Sequence, residues 1–298
     1  MQVAERKESI NRQLNDMKTI RLRNGVEMPA IGFGTYQIDA LECERCVLDA
    51  INVGYRMIDT AQFYGNEQCV GSAMKKCGLK REELFITSKV WISNAGEERA
   101  YASILESLEK LQTEYIDLML VHQPYGDYYG TYRSLERAYR EGLVRAIGVS
   151  NLVPGRFVDL QAHVEIKPMV NQVETHVFFQ QTTAREYMKK YGCQPMSSMP
   201  FAEGRNNLFH NETLKEISER HGKSTAQVAL RYLHQLGVII IPKSTHKERM
   251  EQNFDIFDFT LSDEDMESIA ALDGGHSLFL ERDDPKAVEW FIEVEKRS

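Results

Sequence analysis

The chain has 298 residues, of which 42% are hydrophobic and 27% are charged, a balance typical of an ordinary globular protein. Its 36 basic and 44 acidic side chains give a net charge of −8, which argues against general binding of nucleic acid or of an anionic membrane. No window of about 18 uncharged apolar residues occurs, so no transmembrane segment is predicted. The length is compatible with two average domains or with one α/β barrel of about 250 residues.

Residues 1–18 are polar and charged and lack the apolar core of a signal peptide, so we interpret them as an N-terminal extension. The five cysteines are an odd number in a long chain, which is typical of a reducing cytoplasm rather than of a disulfide framework. Cys43 and Cys46 form a C-x-x-C pair, but no βαβ redox context precedes them, and we interpret them as ordinary helix residues. A cytoplasmic location is expected.

In chain order, the first predicted element is a β-hairpin. Thr19–Leu22 and Val26–Met28 flank Asn24-Gly25, a pattern that predicts a type I′ turn. From about residue 30 to residue 245, short apolar runs alternate with segments of helical periodicity. The predicted strands of this region are Ile31–Gly34, Arg56–Asp59, Leu84–Val90, Ile116–Val121, Val144–Val149, Met169–Val173, Cys193–Met199 and Val238–Ile241. The seventh has the weakest signal, because Pro195 removes a hydrogen-bond donor from a central strand.

The alternation of strands and helices determines the predicted fold class. Consecutive parallel strands need a covering helix at each crossover, so the strands are predicted to be parallel. Eight such units in roughly 220 residues favour a closed (β/α)8 barrel of the TIM type over an open sheet. An acidic helix at Ser262–Leu272 and a tail to Ser298 follow. No linker divides the chain, so residues 19–298 are predicted to form one domain that includes the C-terminal tail.

Ionisable side chains stand at the ends of three successive predicted strands. Asp59 ends the second strand, and Tyr64 follows five residues later. Lys89 lies near the end of the third strand, and His122 follows the fourth. The carboxyl ends of barrel strands meet at one mouth, so the four side chains are expected to lie together. Each residue alone would be interpreted as structural, and only their joint placement predicts a proton-transfer site.

The four residue types suit protonation of a carbonyl oxygen. A tyrosine has a pKa of about 10, which is too high for an efficient acid at neutral pH. The ammonium of Lys89 beside Tyr64 would stabilise the phenolate and lower that pKa. Asp59 would keep the lysine charged and oriented, and His122 would hydrogen-bond the carbonyl oxygen. Tyr64 would then donate a proton to the oxygen while a hydride reaches the carbon.

Several stretches of the chain resemble the aldo-keto reductase superfamily and occur in the order of that family. They are GFGTYQ (32–37), RMIDTAQFYGNE (56–67), FITSKVW (85–91), DLMLVHQP (117–124), LVRAIGVSN (143–151), VNQVE (170–174) and IIIPKSTHKERMEQNFDIFDFTLS (239–262). The resemblance extends over residues 19–292 and implies a (β/α)8 barrel with NADPH bound across its mouth. It also implies that Asp59, Tyr64, Lys89 and His122 form the catalytic set of an NADPH-dependent aldehyde or ketone reductase.

The same resemblance implies the cofactor site. Ser150, Asn151 and Gln172 match residues that hydrogen-bond the carboxamide of the nicotinamide. Lys243 and Arg249 lie at the rim after the last strand, where a planar guanidinium and a lysine suit the 2′-phosphate of NADPH. The complete set of predicted cofactor residues is Gly34, Thr35, Tyr36, Asp59, Ser150, Asn151, Gln172, Ser198, Met199, Phe201, Lys243, Ser244, Thr245, Arg249, Gln252 and Asn253.

Two positions depart from the family pattern. Ser198 stands where relatives carry an aromatic residue that stacks on the nicotinamide, a loss on the order of 1 kcal/mol or more. The adaptable thioether of Met199 is a candidate to cover the ring instead. Gln252 stands where relatives have a glutamate beside an asparagine, here Asn253, to recognise adenine. Because an amide oxygen still accepts a hydrogen bond, Gln252 is expected to have only a modest effect on the recognition of adenine.

The predicted substrate site consists of Tyr36, Trp91 and His122, of which the first two match aromatic pocket walls of the family. Because of Ser198, the alternative function is an NADP(H)-binding sensor or regulatory subunit with little turnover. A metal-dependent barrel hydrolase would need clustered ligands, and only His122 and Asp59 qualify, so no metal is predicted. The expected partner is a small carbonyl compound, with neither nucleic acid nor membrane, and the chain is expected to be a monomer.

Overall fold

A computed structural model describes residues 19–297, so the predicted extension at residues 1–18 lies outside the described residues. An antiparallel pair of strands precedes a sheet of eight parallel strands, which pair with their neighbours in chain order. The strands are β1 (Thr19–Arg21), β2 (Glu27–Pro29), β3 (Phe33–Gly34), β4 (Met57–Asp59), β5 (Phe85–Val90), β6 (Ile116–Val121), β7 (Val144–Ser150), β8 (Val170–Glu174), β9 (Gln194–Ser198) and β10 (Ile239–Ile240).

The eight-stranded sheet closes on itself between its first and last strands. Ile31, just before β3, forms a parallel bridge with Ile240 of β10. The amide of Gly32 donates to the Ile240 carbonyl at 2.9 Å, and the Ile240 amide donates to the Ala30 carbonyl at 3.1 Å. The predicted (β/α)8 barrel with an N-terminal hairpin is therefore confirmed, whereas the single-domain boundary at residues 19–298 stays a prediction.

Helices alternate with the strands and begin at side chains that satisfy their first amides. The Asp39 side chain accepts from Leu41 N, and Ser224 and Gln227 form a capping box. The helices are α1 (Ala40–Val53), α2 (Glu67–Lys76), α3 (Glu97–Leu111), α4 (Tyr128–Arg140), α5 (Pro154–His163), α6 (Thr182–Lys190), α7 (Glu212–His221), α8 (Thr225–Gln235), α9 (Lys247–Phe254), α10 (Asp263–Ala270) and α11 (Pro285–Glu295). Within residues 19–297, each helix is too short or too polar to cross a membrane.

The seventh barrel strand, β9, forms despite its proline. Gln194 N donates to the Met169 carbonyl at 2.8 Å on the β8 side, and β10 pairs with β9 only from Met196 onward. Pro195 therefore lies before the residues of β9 that pair with β10, so its missing amide does not interrupt that pairing. The Gly237 carbonyl at this end accepts a hydrogen bond from the Gln194 side chain at 2.6 Å instead.

The hairpin turn differs from the predicted type I′ turn. Leu22 N donates to the Val26 carbonyl at 2.9 Å, so the loop has three residues, and Gly25 has a positive φ of 87°. A type I′ turn also needs a positive φ at Asn24, which this residue does not adopt. The prediction was wrong because Asn-Gly also fits a three-residue loop in which the glycine alone is left-handed.

Candidate active site

The four predicted catalytic side chains lie together at the carboxyl end of the barrel. Asp59 ends β4, Lys89 lies in β5, and His122 directly follows β6, while Tyr64 ends a short 3-10 helix after β4. Lys89 Nζ lies 2.6 Å from Asp59 Oδ1 and 3.3 Å from the Tyr64 hydroxyl. The ring centroids of Tyr64 and His122 are 5.6 Å apart. Neighbouring barrel strands therefore bring residues far apart in the sequence into one cluster.

The ion pair between Lys89 and Asp59 is buried, with 0% and 4% of these residues exposed. Lys89 Nζ also donates to the Thr60 carbonyl at 2.9 Å. The second carboxylate oxygen of Asp59 accepts from Gln172 Nε2 at 2.9 Å. Burial lowers the pKa of Lys89 below its ordinary value, whereas the adjacent Asp59 carboxylate opposes that shift. The ammonium is thus held in one place, and the adjacent Asp59 carboxylate, more than the charge of Glu67, supports its positive charge.

The protonation of Tyr64 differs from the sequence expectation. Burial raises the pKa of Tyr64 well above 10, and the charge of Asp59 and the neighbouring Tyr36 raise it further. The pKa of Tyr64 is therefore raised in this structure and not lowered as expected, because burying a phenolate is costly. That Lys89 stabilises the phenolate stays a prediction. Tyr64 is a protonated phenol, which is the form that can donate a proton.

His122 is a neutral imidazole. Burial holds the pKa of His122 well below its ordinary value, and the positive charges of Lys89 and Arg282 lower it further. Its Nδ1 atom is buried and has no hydrogen-bond partner among the residues that the structure describes. A neutral imidazole carries one N–H donor, so His122 can bind a carbonyl oxygen without adding a charge to the site.

A cavity of about 430 Å³ opens from this cluster at the barrel mouth. The predicted substrate residues Tyr36, Trp91 and His122 all line it. Phe63 stacks on Trp91 with ring centroids 4.0 Å apart, and the centroids of Trp91 and His122 are 5.0 Å apart. This wall of the cavity is therefore aromatic and lies next to the polar catalytic cluster. Such a combination is typical of binding sites for small organic molecules.

A polar wall of the same cavity contains most of the predicted cofactor residues. Ser150 Oγ donates to the Gln172 carbonyl at 2.9 Å, and Asn151 Nδ2 donates to Ser150 Oγ at 3.0 Å and to the His122 carbonyl at 3.1 Å. These bonds connect the wall directly to the catalytic cluster. The predicted cofactor residues that line the cavity are Gly34, Tyr36, Asp59, Ser150, Asn151, Gln172, Ser198, Met199, Phe201 and Lys243.

The other predicted cofactor residues do not line this cavity. They are Thr35, Ser244, Thr245, Arg249, Gln252 and Asn253. Thr35 is buried, and its hydroxyl donates to the Asp59 carbonyl at 3.0 Å, so its side chain supports the strand end. Ser244 is buried as well, and its Oγ accepts from His246 N at 3.0 Å. Arg249 and Gln252 are exposed on α9, beyond the rim of the cavity.

The C-terminal tail lies across the mouth, which sequence reasoning missed. Its side chains Phe279, Leu280, Arg282, Trp290 and Phe291 line the cavity. Glu174 anchors the tail at the end of β8. The only sign of this tail in the sequence is the helical spacing of the apolar residues after Pro285, in the segment that forms α11.

Glu174 holds the tail through several hydrogen bonds. It accepts from Ser277 Oγ at 2.5 Å and from Leu278 N at 2.9 Å, and His176 Nε2 lies 3.0 Å from it. Burial acts to raise the pKa of Glu174, but these bonds together bring that pKa below its ordinary value. Glu174 therefore stays a charged acceptor at neutral pH.

Within residues 19–297, no group of three or more His, Cys, Asp or Glu is placed to hold a metal ion.

Comparisons with known proteins identify the family of this barrel. A model of the aldo/keto reductase family matches residues 30–274. The chain belongs to the aldo/keto reductase family. Glyoxal reductase of Bacillus subtilis strain 168 is 48% identical over 256 residues, which cover 85% of this chain and 92% of that protein. This membership makes the chain an oxidoreductase of carbonyl compounds.

Solved structures of aldo-keto reductases have the same fold. A crystal structure of an enzyme from a Medee basin deep-sea metagenome library superposes with a TM-score of 0.87 at 42% identity, covering 89% of this chain and 98% of that one. An aldo-keto reductase of Bombyx mori in complex with NADP gives a TM-score of 0.85 at 32% identity, covering 90% of this chain and 96% of that one. The family match ends at residue 274, so the tail across the mouth lies beyond it.

Proposed function

We propose that this protein reduces an aldehyde or ketone with NADPH, and that Tyr64 is the general acid. The observation that carries the proposal is the position of the Tyr64 hydroxyl, 3.3 Å from Lys89 Nζ and with its ring against His122. The raised pKa of Tyr64 and the lowered pKa of His122 favour a protonated phenol beside a neutral imidazole. The likeness to glyoxal reductase, a relative named for a small dicarbonyl compound, supports this substrate class.

The polar wall fits a nicotinamide. Ser198 Oγ is buried in this wall and has no hydrogen-bond partner within residues 19–297, so a polar ligand group would satisfy it. Asn151 and Gln172 present amides to the same space, and we propose that these residues, with Ser150, hold the carboxamide. When bound there, a reduced nicotinamide supplies a hydride to the carbonyl carbon.

The chain's own residues then handle the oxygen and its proton. His122 donates a hydrogen bond to the carbonyl oxygen and fixes its position next to Tyr64. Tyr64 gives its proton to the oxygen as negative charge develops there. Lys89 lies close enough to stabilise the phenolate that remains, and Asp59 keeps Lys89 protonated. The aromatic wall around Trp91 limits the access of water to these groups.

We further propose that the cations after β10, of which Lys243 and Arg249 are exposed, bind the 2′-phosphate that distinguishes NADPH from NADH. In the described part of the chain, Lys243, Lys247 and Arg249 pair with no acidic side chain, although the protein has a net charge of −8. Arg249→Met is expected to raise the KM for NADPH about tenfold, the loss of one charge-assisted contact, and to leave the KM for NADH unchanged. The exposed Lys75→Met on α2 is the matched control for loss of a positive charge.

The direct test measures the loss of NADPH absorbance with a panel of small aldehydes and ketones that includes glyoxal. We expect turnover by the purified wild-type protein, at a higher kcat/KM with NADPH than with NADH. Tight binding of NADPH without turnover of any compound would overturn the proposal and favour a sensor or regulatory subunit. Equal KM values for NADPH in the wild type and in Arg249→Met would contradict the assignment of the phosphate site.

Ser198→Tyr is expected to increase the affinity for NADPH. Ser198 ends β9, pairs in register with Glu174 and lines the cavity, so an aromatic ring there would face the nicotinamide site. An added aromatic contact of about 1 kcal/mol corresponds to a roughly fivefold lower Kd. Fluorescence titration with NADPH measures the change, and Ser198→Ala separates the effect of the added ring from the effect of losing the hydroxyl. An unchanged Kd in Ser198→Tyr would mean that Met199 already covers the ring.

A further inference from the structure

One arginine of the cavity has a guanidinium nitrogen with no hydrogen-bond partner among residues 19–297. Arg282 lines the cavity from the C-terminal tail, and its Nη1 atom is buried without a hydrogen bond. Burying an N–H group without an acceptor costs about 1–3 kcal/mol of folding free energy. A structure that contains such a group therefore needs an explanation. The other arginine of the cavity, Arg205, donates to the Leu278 carbonyl and lies 4.0 Å from the Phe279 ring centroid.

The fold holds Arg282 in place. The Tyr125 hydroxyl donates to the backbone carbonyl of Arg282 at 2.8 Å, and the Phe291 ring centroid lies 5.2 Å from the guanidinium carbon. The next residue, Asp283, pairs with Arg156 at 3.1 Å. These contacts fix the backbone on both sides of the guanidinium and position it before any ligand arrives.

Acidic side chains near Arg282 are committed to other groups. Glu174 uses its oxygens for His176, Ser277 and Leu278, as described above. Glu281 accepts from Ser277 N at 2.7 Å. Glu203 also lines the cavity but is exposed to solvent. Arg282 therefore faces the cavity without an ion pair among the described residues, although the Glu174 carboxylate and the Tyr125 hydroxyl act on its charge. Its positive charge in turn acts on His122 in the catalytic cluster.

We propose that Arg282 binds a carboxylate on the substrate, so that the preferred substrates are aldehydes or ketones that also carry a carboxylate. This inference rests on the proposed reductase function. A guanidinium matches a carboxylate better than any other cationic side chain, because its N–H groups form a planar fork. The side chains beside it, Leu280, Trp290 and Phe291, are apolar, which suits a hydrocarbon segment between the carboxylate and the carbonyl group.

The other cations of the site have other contacts or another proposed role, and Arg205 donates to the Leu278 carbonyl as described above. Lys89 is buried in its pair with Asp59, and Lys243 lies at the rim assigned to the cofactor phosphate. Arg282 thus supplies the charge that separates acidic from neutral carbonyl substrates. Its position beyond residue 274 means that the family match does not determine this preference.

The test compares carbonyl acids with their neutral methyl esters at two lengths, 4-carboxybenzaldehyde and succinic semialdehyde. For at least one length, the wild type is expected to show a kcat/KM at least about tenfold higher for the acid than for the ester. Arg282→Gln is expected to reduce that ratio to about one, and Arg282→Lys to give an intermediate ratio. Lys286→Gln removes an exposed charge at the start of α11 and is expected to keep the wild-type ratio.

The outcomes separate this inference from the reductase function. Wild-type turnover of esters and acids with equal kcat/KM, or an unchanged ratio in Arg282→Gln, overturns the role of Arg282 and leaves the reductase function standing. Absence of turnover with every compound contradicts the reductase function itself. Inhibition of the wild type checks the inference without a variant: benzoate is expected to inhibit at least about tenfold more strongly than methyl benzoate, and equal inhibition would overturn the inference.

Discussion

Replacing Tyr64 by phenylalanine is expected to lower kcat for carbonyl reduction by at least about 100-fold. The phenol hydroxyl is the group beside Lys89 that can donate a proton, and His122 is neutral with a much lowered pKa. Phenylalanine keeps the ring and its contacts with Tyr36, whose centroid is 5.0 Å away, so the shape of the cavity is preserved. Steady-state kinetics with NADPH and an aldehyde measure the loss.

Two measurements separate a loss of chemistry from a loss of structure in Tyr64→Phe. The Kd for NADPH is expected to change less than about threefold, because the residues of the polar wall remain in place. Tyr187→Phe, an exposed tyrosine on α6, removes a hydroxyl from the surface and is expected to retain wild-type kcat. A Tyr64→Phe variant with wild-type kcat would show that another group donates the proton.

The raised pKa of Tyr64 also affects the expected pH dependence of reduction. Tyr64 stays protonated at pH values up to and beyond 10, so loss of its proton does not limit reduction at neutral or mildly alkaline pH. Lys89, whose pKa lies below its ordinary value, loses its charge first as the pH rises. The first alkaline fall in kcat/KM is therefore expected from loss of the Lys89 charge rather than from loss of the Tyr64 proton.

The catalytic cluster could be predicted from the sequence because its members stand at strand ends. The periodicity of the apolar runs locates the strands, and barrel topology brings their ends together, so Asp59 and Lys89 meet although 30 residues separate them. The pKa of Tyr64 could not be predicted in the same way. It depends on how completely the neighbouring side chains exclude water, which no pattern of residue types determines.

The position of the C-terminal tail over the barrel mouth could not be predicted from the sequence. Tyr125 and Arg282 form a hydrogen bond across a sequence separation of 157 residues, and Glu174 and Leu278 form one across 104. Periodicity within a segment predicts a helix such as α11 but not the surface that it covers. Arg282 was missed for this reason, since a charged residue in a tail is usually solvated.

The Asp59→Asn variant is expected to be both less stable and less active than the wild type at alkaline pH. Asparagine leaves the Lys89 ammonium buried without an opposite charge, and breaking such a pair costs about 3–5 kcal/mol of unfolding free energy. Loss of the carboxylate also lowers the pKa of Lys89 further. Lys89 is charged below its pKa, so the alkaline fall of kcat/KM is expected to move to lower pH.

Denaturant unfolding and pH–rate profiles test both effects, and a double variant links them to the ion pair. Asp59→Asn/Lys89→Met removes both charges, so it is expected to be inactive but more stable than Asp59→Asn alone. Glu97→Gln breaks the half-exposed pair with Arg133, whose atoms are 2.8 Å apart, and is expected to cost less than about 1 kcal/mol. If the double variant proves less stable than Asp59→Asn, an unpaired buried ammonium is not the cause of the instability. If kcat/KM of Asp59→Asn falls at the same alkaline pH as that of the wild type, Asp59 does not set the charge of Lys89.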